Sequence, residues 1–191
     1  MARHIGRRPG NLEGRGRDLT GRIHIVGAAG SGATTLGRAV ATALGVPHHD
    51  TDDYLWLPSD PPYGEWRDRD ERLALMRAIF IPRPDWVLSG SMDGWDAGLD
   101  GMFDLVVFLR APTDVRVARL RNREARRLGT DKLPLDTEDF VEWAAQYDSD
   151  AREGRSLQIH LAWLATLTCP VLTLDGTQPV ATLTAEVLAA L

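Results

Sequence analysis

The sequence predicts a parallel, doubly wound α/β fold built around a phosphate-binding loop. Three observations predict it. Short apolar runs alternate with helix-length amphipathic segments along the chain. The first run, Ile23-His24-Ile25-Val26, leads straight into Gly27-Ala28-Ala29-Gly30-Ser31-Gly32-Ala33-Thr34-Thr35. A later run, Leu105–Leu109, is apolar at every position, as suits a strand buried on both faces.

Strand one covers Arg22–Val26. The loop is followed by a helix over Thr34–Leu44, with Leu36, Val40, Ala43 and Leu44 as its apolar stripe. Gly45-Val46-Pro47 stops that helix. A short second strand falls at His48–Asp50. Residues 53–67 are rich in proline and in the aromatics Tyr54, Trp56, Tyr63 and Trp66, and read as irregular loop. A helix over Asp68–Phe80 puts Leu73, Met76 and Phe80 on one side. Strand three is Trp86–Ser89 and strand four Leu105–Leu109. Thr113 reads as the cap of a helix reaching Leu128. Helices at Thr137–Asp148 and Arg152–Leu167 lead to strand five, Val171–Leu174, and a last helix covers Val180–Leu191. Residues 1–21, rich in Arg and Gly, read as a flexible basic tail ahead of one domain over 22–191. Gly129 and Pro134 break the rhythm, and residues 123–134 read as a small lid.

Composition narrows the function classes. A net charge of −5 argues against a nucleic-acid binder that works by bulk electrostatics. The lone Cys169 excludes an internal disulfide framework and a multi-cysteine metal site. No apolar run reaches membrane-spanning length, and the N-terminal segment lacks the apolar region of a secretory signal. A cytoplasmic location is the default expectation. His48, His49 and His160 lack metal-ligand spacing and read as structural.

The loop over residues 27–35 fits the phosphate-loop pattern G-x-x-x-x-G-K-[ST] except at Ala33, where the pattern has lysine. A strand turning sharply into a helix aims backbone N–H groups at one point, and the helix dipole adds positive potential there. Gly27, Gly30 and Gly32 permit the turn and keep side chains out of the way. Ser31, Ala33, Thr34 and Thr35 complete the expected cradle, with Thr34 as the expected Mg²⁺ ligand. The alternative is an ordinary Gly-rich strand-to-helix turn. Lys132 is the single lysine, so a cation at the phosphates is expected to be an arginine from elsewhere.

Two further patterns bear on chemistry. The cluster Asp50-Thr51-Asp52-Asp53 follows strand two, and residues two apart on an extended segment share a side. Its bland reading is a solvated acidic turn that caps a helix. Arg116, Arg119, Arg123 and Arg127 fall on one helical stripe, where like charges repel unless anions lie nearby. The competing reading is a solvated helix face.

On these residues the chain resembles the P-loop kinases of nucleoside monophosphates and small metabolites, such as adenylate, shikimate and gluconate kinases. The resemblance covers 22–191. It rests on Gly27–Thr35, Asp50–Asp53, Phe103–Leu109 with the Arg-rich helix after it, and Asp175-Gly176-Thr177-Gln178-Pro179. It is nearest to an adenylate-kinase-like branch with a small residue in place of the loop lysine. The resemblance implies a parallel sheet of order 2-3-1-4-5 and transfer of the ATP γ-phosphoryl group with Mg²⁺. It implies that Asp50 orients Mg²⁺ through water, and that Asp52 sits near the acceptor and helps remove its proton. It implies that Arg119 and Arg123 close on the transferring phosphates, followed by Arg126, Arg127 and Lys132. Asp175 and Gly176 would lie over the adenine, and Ser89-Gly90-Ser91 would face the substrate. Tyr54, Trp56, Trp66 and Trp95 are candidates to line an acceptor pocket, with Arg67, Arg69 and Arg72 for an anionic substrate. Phe140, Trp143 and Tyr147 read as core.

Two classes of function follow. One is a phosphotransferase using ATP, Mg²⁺ and an unidentified small-molecule acceptor. The other is a nucleotide-binding sensor or interaction module with little catalysis, because position 33 is alanine. A GTPase ranks behind both, since the chain has no N-K-x-D pattern and no D-x-x-G after strand three.

Overall fold

The computed structural model describes residues 21–60, 63–92, 98–130, 134–149 and 154–191. The tail over 1–20, Trp95 and Lys132 lie outside them. Strands β1 (Arg22–Gly27), β2 (His48–Asp50), β3 (Trp86–Ser89), β4 (Leu105–Arg110) and β5 (Val171–Asp175) form a parallel sheet in the order β2-β3-β1-β4-β5. That is the expected order. β1 lies at the centre, with Ile25 paired to Ser89 of β3 and to Val107 of β4. The chain visits β2 and β3 on one side of β1 and then β4 and β5 on the other. The loop leaving β1 therefore opens at the point where strand order reverses, the usual ligand crevice of such sheets.

Alternation sorts the strand residues onto two faces. Ile23, Ile25, Val107, Leu109 and Leu174 pack with α1 (Ala33–Leu44) and α7 (Val180–Ala189) through Leu36, Val40, Leu183 and Val187. Val26, Leu88, Val106 and Phe108 face α3 (Arg69–Ile79) and α6 (Leu157–Leu164) through Met76, Phe80, Trp163 and Leu164. α4 (Thr113–Leu128) and α5 (Leu135–Ala145) join through Leu120, Val141 and Ala144. The expected lid starts as the last turns of α4, which stops at Gly129 in the left-handed region; residues 131–133 lie outside the described residues.

Four local expectations need correction. The expected loop over 53–67 does not begin at 53: Asp53–Leu55 belong to a short helix, α2 (Thr51–Leu55), because the Asp50 carboxylate accepts from the Asp52 amide and nucleates a turn. Residues beyond it form an antiparallel bridge between Trp56 and Trp66. Thr113 is not the cap of α4; Pro112 is, and the Thr113 hydroxyl donates to Asp148 at 2.5 Å. α6 starts at Leu157 rather than near Arg152, because Ser156 accepts from the Ile159 amide and sets the first turn there.

Candidate active site

The loop folds as its glycines require. Gly30 (φ 80°) and Gly32 (φ 104°) occupy the left-handed region. A Cβ on Gly30 would lie 2.6 Å from the Arg116 carbonyl, and one on Gly27 would strike the Leu109 carbonyl. The Ser31 amide donates to Ala28 (3.0 Å), which closes the turn. α1 begins at Ala33 with no side-chain cap and no acidic residue in its first turn, so its positive end is left to an anion. The Ser31 hydroxyl is buried and has no hydrogen-bond partner among the described residues. A buried hydroxyl in a glycine cradle at an uncapped helix start fits a polyphosphate, which supplies acceptor oxygens. Ala33 packs into the sheet face with Leu36 and Val40, and Thr35 is exposed one residue past Thr34.

Asp50 draws three elements together beside the loop. Its Oδ2 accepts from the Thr34 hydroxyl (2.8 Å) and from Ser89 (3.3 Å), while Oδ1 accepts from the Asp52 amide (3.1 Å). His48 Nε2 lies 2.9 Å from the Ser89 oxygen, and Gly37 leaves room for that imidazole. Thr34 and Asp50, from two separate elements, thus meet. Among the described residues no three His, Cys, Asp or Glu side chains gather to hold a metal alone. The pair suits Mg²⁺, which keeps several waters and takes one or two protein oxygens plus phosphate.

Asp52 does not share an extended segment with Asp50, because it belongs to α2. It still feels Asp50. Desolvation, then the Asp50 charge, push its carboxyl above the ordinary range, while Arg155 and Arg123 pull it down. Two cations from distant segments therefore contribute to the field at one acid. Arg155 was invisible in the sequence, since no spacing singles it out; its guanidinium lies over the Trp143 ring at 5.9 Å.

The arginine stripe divides. Arg116 is not an anion-seeking surface charge. It is 1% exposed and donates to Ala144 (2.9 Å), Ala111 (3.1 Å), Thr113 (2.9 Å) and Asp148 (2.9 Å). Arg119 donates to the carbonyls of Ser31 (3.1 Å) and Gly176 (2.9 Å). Arg123 and Arg127 clamp the buried Glu124 at 2.8 and 2.7 Å. Burial works to raise the Glu124 carboxyl, but the hydrogen bonds from Arg127 and Arg123 outweigh it and hold it below the ordinary range.

The remaining candidates differ in what they meet. Asp175 turns back on its own loop, accepting from the Thr177 amide (2.9 Å) and hydroxyl (2.8 Å). Gly176 donates to Arg110 at 2.6 Å. Ser91 meets His160 (3.2 Å), which in turn meets Tyr147 (2.6 Å), so this histidine is structural as expected. Tyr54 is core, not pocket lining; it is 4% exposed, hydrogen-bonds His49 (2.8 Å), and burial pushes its hydroxyl up to about 12. Trp56 and Trp66 stack edge to face, with Trp66 exposed. Arg67 and Arg72 are tied to the backbone of Tyr54 (3.1 Å) and Arg67 (2.6 Å). A cavity of about 440 Å³ opens at the ends of β4 and β5, bounded by Ala28, Arg110, Pro112, Tyr147, Thr173 and Asp175.

Sheet order, loop and the Thr34–Asp50 pair together define a P-loop kinase fold. The chain belongs to the family of the uncharacterized protein YqaC of Bacillus subtilis, with 41% identity over 158 residues, 80% of this chain and 87% of that one. It is similar to a cytidylate kinase of Haloarcula marismortui, 34% identical over 114 residues, 53% of this chain and 58% of the kinase. In structure it is similar to a shikimate kinase from Acinetobacter baumannii solved with shikimate, with TM-score 0.58 and 19% identity over 91% of this chain and 93% of that one. No family model matches the chain.

Proposed function

We propose that this chain is a small-metabolite kinase that moves the γ-phosphoryl group of ATP to a hydroxyl of a small acceptor. The observation that carries this is the Thr34–Asp50 hydrogen bond at 2.8 Å, with Asp52 two residues further on. Gly27, Gly30, Ser31, Gly32, Ala33, Thr34 and Thr35 hold the phosphates, and Asp175 and Gly176 border the base. Thr34 and Asp50 would hold Mg²⁺, which when bound would supply charge neutralisation on the phosphates. Asp52 accepts the proton of the attacking hydroxyl. Arg123 leaves Glu124 to meet the transferring group. A carboxylate on the acceptor side favours a neutral alcohol over a phosphate, which it would repel. That chemistry supports a hydroxyl acceptor rather than a nucleoside monophosphate.

The test is ATP consumption with a panel of sugar acids, polyols, shikimate and nucleoside monophosphates. Acceptor-stimulated turnover that collapses in Asp52→Asn supports the reading. No stimulation by any acceptor, or an active Asn variant, overturns it.

A nucleotide sensor without catalysis is the second reading. It is favoured by Ala33, packed into the sheet face where a lysine would reach the phosphates, and by the engagement of Arg123 with Glu124. Calorimetry with ATP and a non-hydrolysable analogue, beside turnover, separates the two. Tight binding with no turnover selects the sensor.

A further inference from the structure

We infer that Arg119 is a positioning residue that fixes the phosphate loop from its carbonyl side and thereby offsets part of the loss of the loop lysine. The inference rests on the kinase reading only in taking residues 27–35 as a polyphosphate site.

Arg119 spans a seam. One terminal nitrogen donates to Ser31 (3.1 Å) and approaches the Gly30 carbonyl (3.5 Å); the other donates to Gly176 (2.9 Å). The phosphate loop and the loop after β5 already touch there. A Cβ on Gly176 would lie 2.8 Å from the Ser31 carbonyl and 3.0 Å from that of Arg110. The guanidinium closes this contact as a two-pronged clamp.

The clamp acts on the amides. A trans peptide is planar, so its C=O and N–H point opposite ways. Holding the Ser31 carbonyl toward Arg119 turns the Gly32 N–H to the other side of the loop. The guanidinium thus fixes a donor without itself touching the ligand. It also places a permanent positive charge near the shoulder of the loop, since a Cβ on Gly32 would lie 3.9 Å from Arg119 Nη1. Ala33 follows immediately.

Its mount is rigid. One turn earlier on α4, Arg116 is buried and saturated with hydrogen bonds, and its backbone rests against Gly30. A planar fork reaches two carbonyls of fixed separation; an ammonium on a flexible stem does not. This gives Arg119 a positioning role in place of the phosphate-neutralising role expected from the sequence.

The experiment uses the full chain and four forms: wild type, Arg119→Ala, Arg119→Lys and Gly176→Ala. Binding of magnesium ATP and of magnesium tripolyphosphate is measured by calorimetry, with ATP turnover and thermal melting alongside. Loss of charge-assisted hydrogen bonds predicts that Arg119→Ala weakens both probes by about tenfold or more. Arg119→Lys recovers little of it. Gly176→Ala, which pushes the two loops apart while keeping the arginine, repeats the loss for tripolyphosphate. Turnover at saturating ATP falls less than affinity does. If Arg119→Ala weakens ATP but leaves tripolyphosphate unchanged, the arginine acts on the base and the inference is wrong. If affinities hold and only saturated turnover falls, it acts on the transferring group and the inference is equally wrong. A wild-type chain that binds neither probe removes the phosphate-loop reading as well. A wild type that binds, with indifferent variants, removes this inference alone.

Discussion

Both oxygens of Asp50 and both arms of Glu124 are committed, and these two acids behave differently for that reason. Asp50 joins three elements, taking hydrogen bonds from Thr34 of α1, Ser89 of β3 and the first turn of α2. Glu124 is buried between two arginines. Its folded carboxyl lies below the ordinary glutamate range of about 4.3. The stability it contributes is therefore fully present above that range and is lost as pH falls through the lower folded value. Comparing wild type with Glu124→Gln by denaturant unfolding across pH, wild type is expected to be the more stable at neutrality. That difference is expected to shrink to nothing in strong acid. Position 33 gives a second expectation at this scale. If Arg119 already steadies the loop, Ala33→Lys raises ATP affinity by less than tenfold, about 1.4 kcal/mol, in a calorimetric titration.

At the scale of elements, the strand–loop–helix unit depends on glycines that have no substitute. Gly30 combines a φ of 80° with an Arg116 carbonyl 2.6 Å from any Cβ. Gly30→Ala is expected to destabilise the chain by about 1–3 kcal/mol in denaturant melts and to abolish ATP binding. α4 is anchored at its base by the buried Arg116. Replacing that residue by alanine removes the side-chain donors to the carbonyls of Ala111 and Ala144 and the ion pair with Asp148, which keeps only the Thr113 hydroxyl. The expected loss is about 1–3 kcal/mol, read as a lowered denaturation midpoint. Legibility at this scale followed length. The strands and long helices were readable because period-2 and period-3.6 patterns repeat over enough residues. α2 was not, because five residues show no period and its only signal is the Asp50 cap.

For the whole molecule, the sheet order puts the glycine loop, the acidic cluster and the loop after β5 at the C-terminal ends of the strands. β2 and β3 carry Asp50 and Ser89 to β1 through the parallel pairing of β2 with β3 and of β3 with β1, and Phe80, the residue that closes α3, packs against them. It is fully buried, stacked on His49 at 4.1 Å and edge-on to Trp86 at 5.0 Å. Phe80→Ala is expected to cost about 3–5 kcal/mol in equilibrium unfolding and to weaken ATP binding indirectly, through displacement of β2.

The candidate site was half legible. Thr34 and the glycines could be named from the sequence because a phosphate nest imposes fixed spacing along one short segment, and Asp50 because the cluster after strand two resembles that of the kinases. Arg155, the partition of the four stripe arginines, and the core position of Tyr54 could not, since each depends on what a side chain meets from a distant part of the chain. The sequence by itself determined the order of elements and the local phosphate cradle, which follow from short-range backbone geometry and hydrophobic period. Only the tertiary structure decided which arginine is buried, which holds the loops together and which faces the acid, because a guanidinium takes its role from the carbonyls and carboxylates that packing brings within reach.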